Sequence, residues 1–263
     1  MVEFLMGVSR LRGATGWGEM DVKASLRIAE AVAATLLLLA PAIWNGFPFL
    51  QYDSGGYLAR WFEGYLVPSR STVYGLFAVA GWPLDFWPEV LLQAAGVVWI
   101  IFLVLRVYGL GDRPLALLGT VAALAVTTSL PWLAGILLTD VFAGMAVLAL
   151  HLLLFAPTSL SRRETVALVL LVGFAAATHS ATLAVLAAIV AAVGLARLYW
   201  RDLLPLAALG RGAAALMLGA AMLLGTNFSL SGQFSWTPGG YGIVFARMTE
   251  DGIVAPLVSG RRA

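Results

Sequence analysis

T-V-A-L-V-L-L-V-G-F-A-A-A-T-H-S-A-T-L-A-V-L-A-A-I-V-A-A-V-G-L-A-R-L-Y, residues 165–199, is too long for one comfortable membrane span and short for two. A helix crossing the hydrocarbon core needs about 20 apolar residues. Thr178-His179-Ser180 interrupts the run near its middle. We read a hairpin of two short spans with His179 at its turn. The parity of every crossing downstream depends on that reading.

The flanking sequence makes this a membrane protein. Hydrophobic residues are 61% of the chain and charged residues 11%, against ~45–50% apolar and ~25% charged in soluble domains. Mean hydropathy is +0.91. Upstream, spans are expected at about Ile28–Trp44, Glu89–Tyr108, Pro114–Leu130 (stopped by Pro131) and Gly135–Phe155. Downstream, a last span is preceded by Arg211 and ends near Leu224. The expected fold is therefore all-α, a polytopic helix bundle of about seven spans. Residues 1–23 read as a flexible or surface-lying cytoplasmic tail, too polar and Gly-rich for a signal peptide. Residues 24–226 form the bundle, including an outer loop, 46–87. Residues 227–263 form a second outer segment that ends as though truncated.

Charge sets the orientation. With the N-terminus inside, Arg10, Arg12, Lys23, Arg27, Arg106, Arg113, Arg162, Arg163, Arg197, Arg201 and Arg211 are inner. Arg60, Arg70, Arg247, Arg261 and Arg262 are outer, which completes the 16 basic residues. Basic residues concentrate on the cytoplasmic side of membrane proteins. A single span over 165–199 would put Arg197, Arg201 and Arg211 outside, so the asymmetry favours the hairpin. Trp44, Trp61, Trp82, Trp87, Trp132 and Trp236, of nine tryptophans, fall at outer ends, an aromatic belt thickened on one side. No cysteine is present, which excludes disulfides and thiolate chemistry. Two histidines, His151 and His179, are too few for a histidine-rich metal site. No basic patch indicates nucleic acid.

The outer loop holds most of the chemistry. F-P-F-L-Q-Y-D-S-G-G-Y-L-A-R-W-F-E-G-Y-L-V-P-S-R-S-T-V-Y, residues 47–74, sets Asp53, Arg60, Glu63 and Arg70 among aromatic residues and glycines. Tyr57, Leu58, Trp61, Phe62 and Tyr65 recur at helical spacing, which predicts an interfacial helix over 54–66. A second short helix is expected over 71–82, stopped by Pro83. Asp53, followed by Ser-Gly-Gly-Tyr, fits a helix N-cap, and equally a reactive carboxylate at the membrane surface. Asp140 is expected about one turn inside the fourth span, where a carboxylate needs a partner or a wet cavity. An arginine such as Arg60 or Arg70 is the structural partner to expect. His151 lies on the same helical face, roughly 16 Å deeper, as a packed hydrogen-bonding group. Arginine suits phosphate through its planar fork of donors, and a carboxylate suits a general base for a hydroxyl.

This order of features resembles the N-terminal half of the GT-C glycosyltransferases, which include protein O-mannosyltransferases and the lipid A aminoarabinose transferase. The resemblance covers about residues 28–200. Asp53-Ser54-Gly55-Gly56-Tyr57 matches the Asp and Tyr of an Asp-Glu-x-x-Tyr-like element, with Ser54 in place of its second acid. Arg70-Ser71-Thr72-Val73-Tyr74 echoes a His-Pro-Pro-x-Tyr-like element without the proline pair. Asp140 stands for a second Asp opening a later span, and His179 for a lysine between short spans. The resemblance implies transfer of a sugar from a polyprenyl-phosphate donor to an acceptor at the outer face of a bacterial inner membrane. Asp53 and Asp140 would then be catalytic, Asp140 as support for the base or as ligand of a divalent metal ion. Tyr57, Arg60, Arg70, Tyr74 and His179 would contact substrate. Two other classes stay open: a non-catalytic membrane subunit or lipid-handling protein, acting with a membrane partner, and a small-solute transporter. The transporter has least in its favour, because the polar groups lie at one face and transporter sites lie near the midplane.

Overall fold

The computed structural model describes residues 2–65, 67–237 and 239–254, with side chains from residue 24 onward. Arg261 and Arg262, and the side chains of Arg10, Arg12 and Lys23, lie outside the described residues. Helices run α1 Val2–Asn45, α2 Tyr52–Phe62, α3 Thr72–Ala80, α4 Trp87–Val107, α5 Ala116–Thr127 and α6 Leu130–Gly135. They continue as α7 Asp140–Phe155, α8 Arg162–Thr178, α9 Ser180–Tyr199, α10 Leu206–Ser231 and α11 Gly240–Glu250. Among the described residues there is no strand, only one isolated parallel bridge, Phe49 to Ile136. Among the described residues four helices are long and apolar enough to cross a membrane: Ala24–Asn45 of α1, α4, α9 and α10. Many of their large apolar side chains are exposed, among them Leu36, Leu92, Leu195 and Met217, as lipid-facing surfaces require.

The 165–199 run breaks where the hairpin reading needs it. His179 adopts extended angles, φ −152° and ψ 122°, between α8 and α9. Gly194 of α9 faces Leu209 of α10, and Gly212 faces Val190, so α9 and α10 are antiparallel. Gly173 of α8 faces Leu218, and Gly219 faces Ala176, so α8 and α10 run the same way. It follows that α8 and α9 form an antiparallel hairpin. A Cβ on Gly219 would lie 2.6 Å from the Ala176 Cβ and 2.7 Å from the Gly173 carbonyl. Small residues there let the two backbones approach, the usual device of membrane helix pairs. By contrast α9 fully buries only Leu186 and stands at the periphery.

Polar contacts define two ends of the bundle. At one, Arg27 pairs with Asp112, and the Arg106 guanidinium holds Glu164 at 2.6 and 2.9 Å. Glu164 precedes the apolar run of α8, and Arg106 holds its carboxyl down to about 2. At the other end lie the bridge at Phe49, helices α2 and α3, and the α6–α7 connection.

Several expected boundaries move. The helix expected over 114–130 ends early: α5 stops at Thr127, extended Thr128 intervenes, and Pro131 lies in the first turn of α6. Proline is tolerated there because a first-turn N–H has no intrahelical partner. The helix expected from Gly135 starts at Asp140, since Ile136 is extended and pairs with Phe49 and a bend at 137–139 follows. Helix α10 continues to Ser231, well past Leu224, and encloses Arg211. Helix α2 starts at Tyr52 and ends at Phe62, short of Tyr65. Its Tyr57 is buried, so that residue faces the protein and not the membrane surface.

Candidate functional site

A short extended segment builds the site by fixing two distant parts of the chain to each other. The Phe49 N–H donates to the Gly135 carbonyl, and the Leu137 N–H donates back to the Phe49 carbonyl, both at 2.9 Å. Five residues after Phe49, the buried Ser54 hydroxyl donates to the Leu137 carbonyl at 2.8 Å and accepts from the Gln51 N–H at 3.0 Å. Behind this pairing sits Gln93 of α4, fully buried. Its amide donates to the carbonyls of Ala134 at 3.3 Å and Ile136 at 2.9 Å, and its oxygen accepts from the Tyr74 hydroxyl at 3.3 Å. The Ser54, Gln93 and Tyr74 side chains are out of water and would be costly without their partners.

On this frame α2 and α3 pack face to face. Gly75 is where they touch: a Cβ there would stand 2.4 Å from the Tyr57 carbonyl oxygen. Tyr57 and Tyr74 meet edge to face with centroids 4.8 Å apart. The α3 N-cap, Ser71, accepts from the Tyr74 N–H at 3.2 Å. Its hydroxyl also donates to the Ala177 carbonyl at 3.0 Å, satisfying one of the open carbonyls where α8 ends.

The charged groups gather around Tyr57. Asp53 is the second residue of α2, and the N-cap is Gln51. The cap reading of Asp53 is thereby corrected: its carboxylate is free of backbone duty and pairs with Arg70. The Arg70 guanidinium also lies over the Tyr57 ring, 5.8 Å from its centroid. On the far side, the Tyr57 hydroxyl meets the Thr139 hydroxyl at 3.4 Å, and Asp140 follows as the first residue of α7. Burial raises the Tyr57 phenol above its usual 10, with Thr139 and Arg70 opposing and Asp53 and Asp140 adding to the rise. Tyr57 therefore feels both carboxylates and the arginine at once.

Asp140 is exposed and has no ion pair among the described residues, so neither Arg60 nor Arg70 serves as its partner. Placed at a helix N-terminus it is stabilised by the helix dipole, which removes the cost expected for a carboxylate one turn inside a span. Arg60 turns away and donates to the Gly64 carbonyl at 2.7 Å. Tyr74 is wholly buried and supports Gln93 from behind. Burial puts its phenol well above 10, so it remains a donor. His179 is exposed and lines a cavity of about 20 Å³ with Arg70, Ser71, Asn227 and Thr237, space for about one water. The walls of the three best-formed concavities among the described residues do not include Asp53 or Asp140. At the opposite end, His151 meets the Tyr108 hydroxyl through Nε2 at 3.0 Å, the packed role expected of it.

Gln93, Thr139 and Ser54 escaped the sequence reading. Gln93 had a signal: an uncharged amide inside the apolar helix 90–101 needs internal partners. Glu89 at the start of that helix is also buried, under Gly81, with Oε2 unpaired among the described residues. The donor set does not suit a divalent ion. Among the described residues no three of His, Asp and Glu gather, and Asp53 is already neutralised by a cation. Compared with known proteins, the chain matches no family model, no curated protein and no solved structure.

Proposed function

We propose that the chain is a GT-C-like membrane glycosyltransferase that moves a sugar from a polyprenyl-phosphate donor to an acceptor hydroxyl. The observation that supports this reading is the gathering of Asp53, Arg70 and Asp140 about Tyr57 at one end of the bundle. The proposed topology has seven crossings: α1, α4, α5 with α6, α7, α8, α9 and α10. It places the N-terminus in the cytoplasm of a bacterial cell and the Asp53 end outside. In the reaction, the Asp53 carboxylate takes the proton of the acceptor hydroxyl. The acceptor oxygen attacks the anomeric carbon as the bond to the lipid phosphate breaks. The bound donor's phosphate draws Arg70 from Asp53, so donor binding and exposure of the base are one event, and Arg70 then holds the charge the departing phosphate takes up. Asp140 orients the acceptor through the Thr139–Tyr57 contact. Arg60 and His179 lie within the same end to meet the acceptor and the lipid headgroup, and Tyr74 acts by position. No metal step is assigned.

The direct test is purified protein in lipid vesicles with a polyprenyl-phosphate sugar. Turnover should release free polyprenyl phosphate. A donor left intact with every acceptor tried would favour the second reading, a non-catalytic or lipid-handling subunit working with a membrane partner. The Asp53–Arg70 pair favours that reading, since a paired carboxylate can be structural.

Topology has its own test. Gly55 is exposed with open space around it, and Thr158 is exposed beyond α7. In a chain without native cysteine, Gly55→Cys should react with an impermeant thiol reagent in intact cells, and Thr158→Cys only after lysis. Labelling of both in intact cells would overturn the map.

A further inference from the structure

We propose that the groove between α1 and α4, at the end opposite Asp53, binds one membrane glycerophospholipid. Its phosphodiester would sit on Arg113 and Arg27, with an acyl chain along the groove. The groove measures about 620 Å³, within the ~300–1,000 Å³ of ordinary ligand sites. Its walls are apolar along α1 from Ala31 to Leu36 and along α4 from Leu91 to Leu105, with Trp99 and Phe102 between them. That stretch of α4 is roughly 20 Å long at 1.5 Å per residue, enough for a chain reaching past one leaflet of a ~30 Å core.

The charged groups of the groove stand at one end only, and Thr35 along the wall spends its hydroxyl on the Ala31 carbonyl. Arg27, Glu30 and Arg113 line it there. Glu30 is engaged, its Oε1 accepting the Leu118 N–H at 3.0 Å. Arg27 shares its charge with Asp112. Arg113 is exposed and has neither an ion pair nor a hydrogen bond from its side chain among the described residues. An apolar trough ending in an unengaged guanidinium has the chemistry of a phospholipid and lacks that of a water-soluble phosphate, which would leave the trough unfilled. Arginine pairs between membrane helices are known to hold lipid headgroups by this means. Glu30 and Asp112 beside them make the mouth mixed in sign, so the phosphodiester and not net headgroup charge is what it selects.

The inference does not depend on the glycosyltransferase reading, and its test needs no activity. Protein purified in mild detergent and stripped of bulk lipid should retain one phospholipid by native mass spectrometry. Titration of delipidated protein with phosphatidylethanolamine should show Arg113→Gln weakening that binding at least fivefold. Arg163→Gln, an exposed arginine at the same end of the bundle, should leave it unchanged. A phosphatidylethanolamine carrying brominated acyl chains should quench tryptophan emission less in Trp99→Phe than in the wild type. Equal binding by the Arg113 and Arg163 variants would overturn the proposal, and so would diacylglycerol competing as well as phospholipid. Binding of soluble glycerophosphate with similar strength would show an anion site without a lipid role, which also overturns it.

Discussion

Asp53→Asn is expected to lower sugar transfer by roughly 10²–10⁴-fold, the usual contribution of a positioned general base, with little change in stability. The substitution keeps the shape of the side chain and its place in the first turn of α2. It removes the proton acceptor and releases Arg70. The stability cost is small because the pair is partly open to solvent, with Arg70 25% and Asp53 41% exposed, and such pairs contribute ~0–1 kcal/mol. Donor binding should survive or tighten, since Arg70 no longer has to leave a carboxylate to meet phosphate. A large loss of transfer with unchanged donor binding and an unchanged thermal midpoint is therefore the expected pattern. Asp140→Asn should reduce transfer less, because Asp140 acts on orientation. Unaltered transfer by Asp53→Asn would end the assignment of Asp53 as base. Arg70→Lys should weaken donor binding, since an ammonium cannot reproduce the planar fork or its place over Tyr57.

The largest loss of stability should come from a residue that touches no substrate. Gln93→Leu preserves bulk but leaves the Tyr74 hydroxyl and the Ala134 carbonyl unpaired in the interior. Each such group costs about 1–3 kcal/mol, so a loss of roughly 2–4 kcal/mol is expected. Ile136 is less affected because its carbonyl also accepts from the Leu138 N–H. Tyr74→Phe should cost less, near 1 kcal/mol, as it orphans only the Gln93 oxygen. Thermal unfolding in one detergent, compared across the two variants, measures the order. A Gln93→Leu protein as stable as wild type would show that the buried amide is dispensable. In that case the α6–α7 connection must be held by Phe49 and Ser54 alone.

The hairpin at His179 was legible because apolar length and charge sign constrain a membrane chain strongly, and both pointed to a break at Thr178-His179-Ser180. The two short helices between α1 and α4 were legible, the first from aromatic spacing and the second from its apolar run before Pro83, though their ends were not. Asp53 and Asp140 were recognisable as unusual carboxylates, yet their placement relative to Tyr57 was not. That placement depends on a parallel bridge between residues 49 and 136, which no local pattern announces. The same bridge draws Ile136 out of the helix expected over it. Asp53 misled as a cap because Gln51, a residue with weak capping preference, takes that position. Arg70 could be read as a candidate cation, but nothing in the sequence chose between a phosphate and Asp53 as its partner.

The bridge at Phe49 also bears on how the molecule is made. Chains emerge from the ribosome N-terminus first at ~5–20 residues per second, so residues 47–57 are delivered long before Ile136–Asp140. Until α6 and α7 follow, Ser54 has no Leu137 carbonyl and Tyr57 has no Thr139. Nascent α2 therefore has only α3, made directly after it, to pack on. Once α7 is made, the contacts around Tyr57 can form within a chain that still lacks α8, α9 and α10. The later helices then close over a centre already assembled, and Ser71 meeting Ala177 is the contact that seals it.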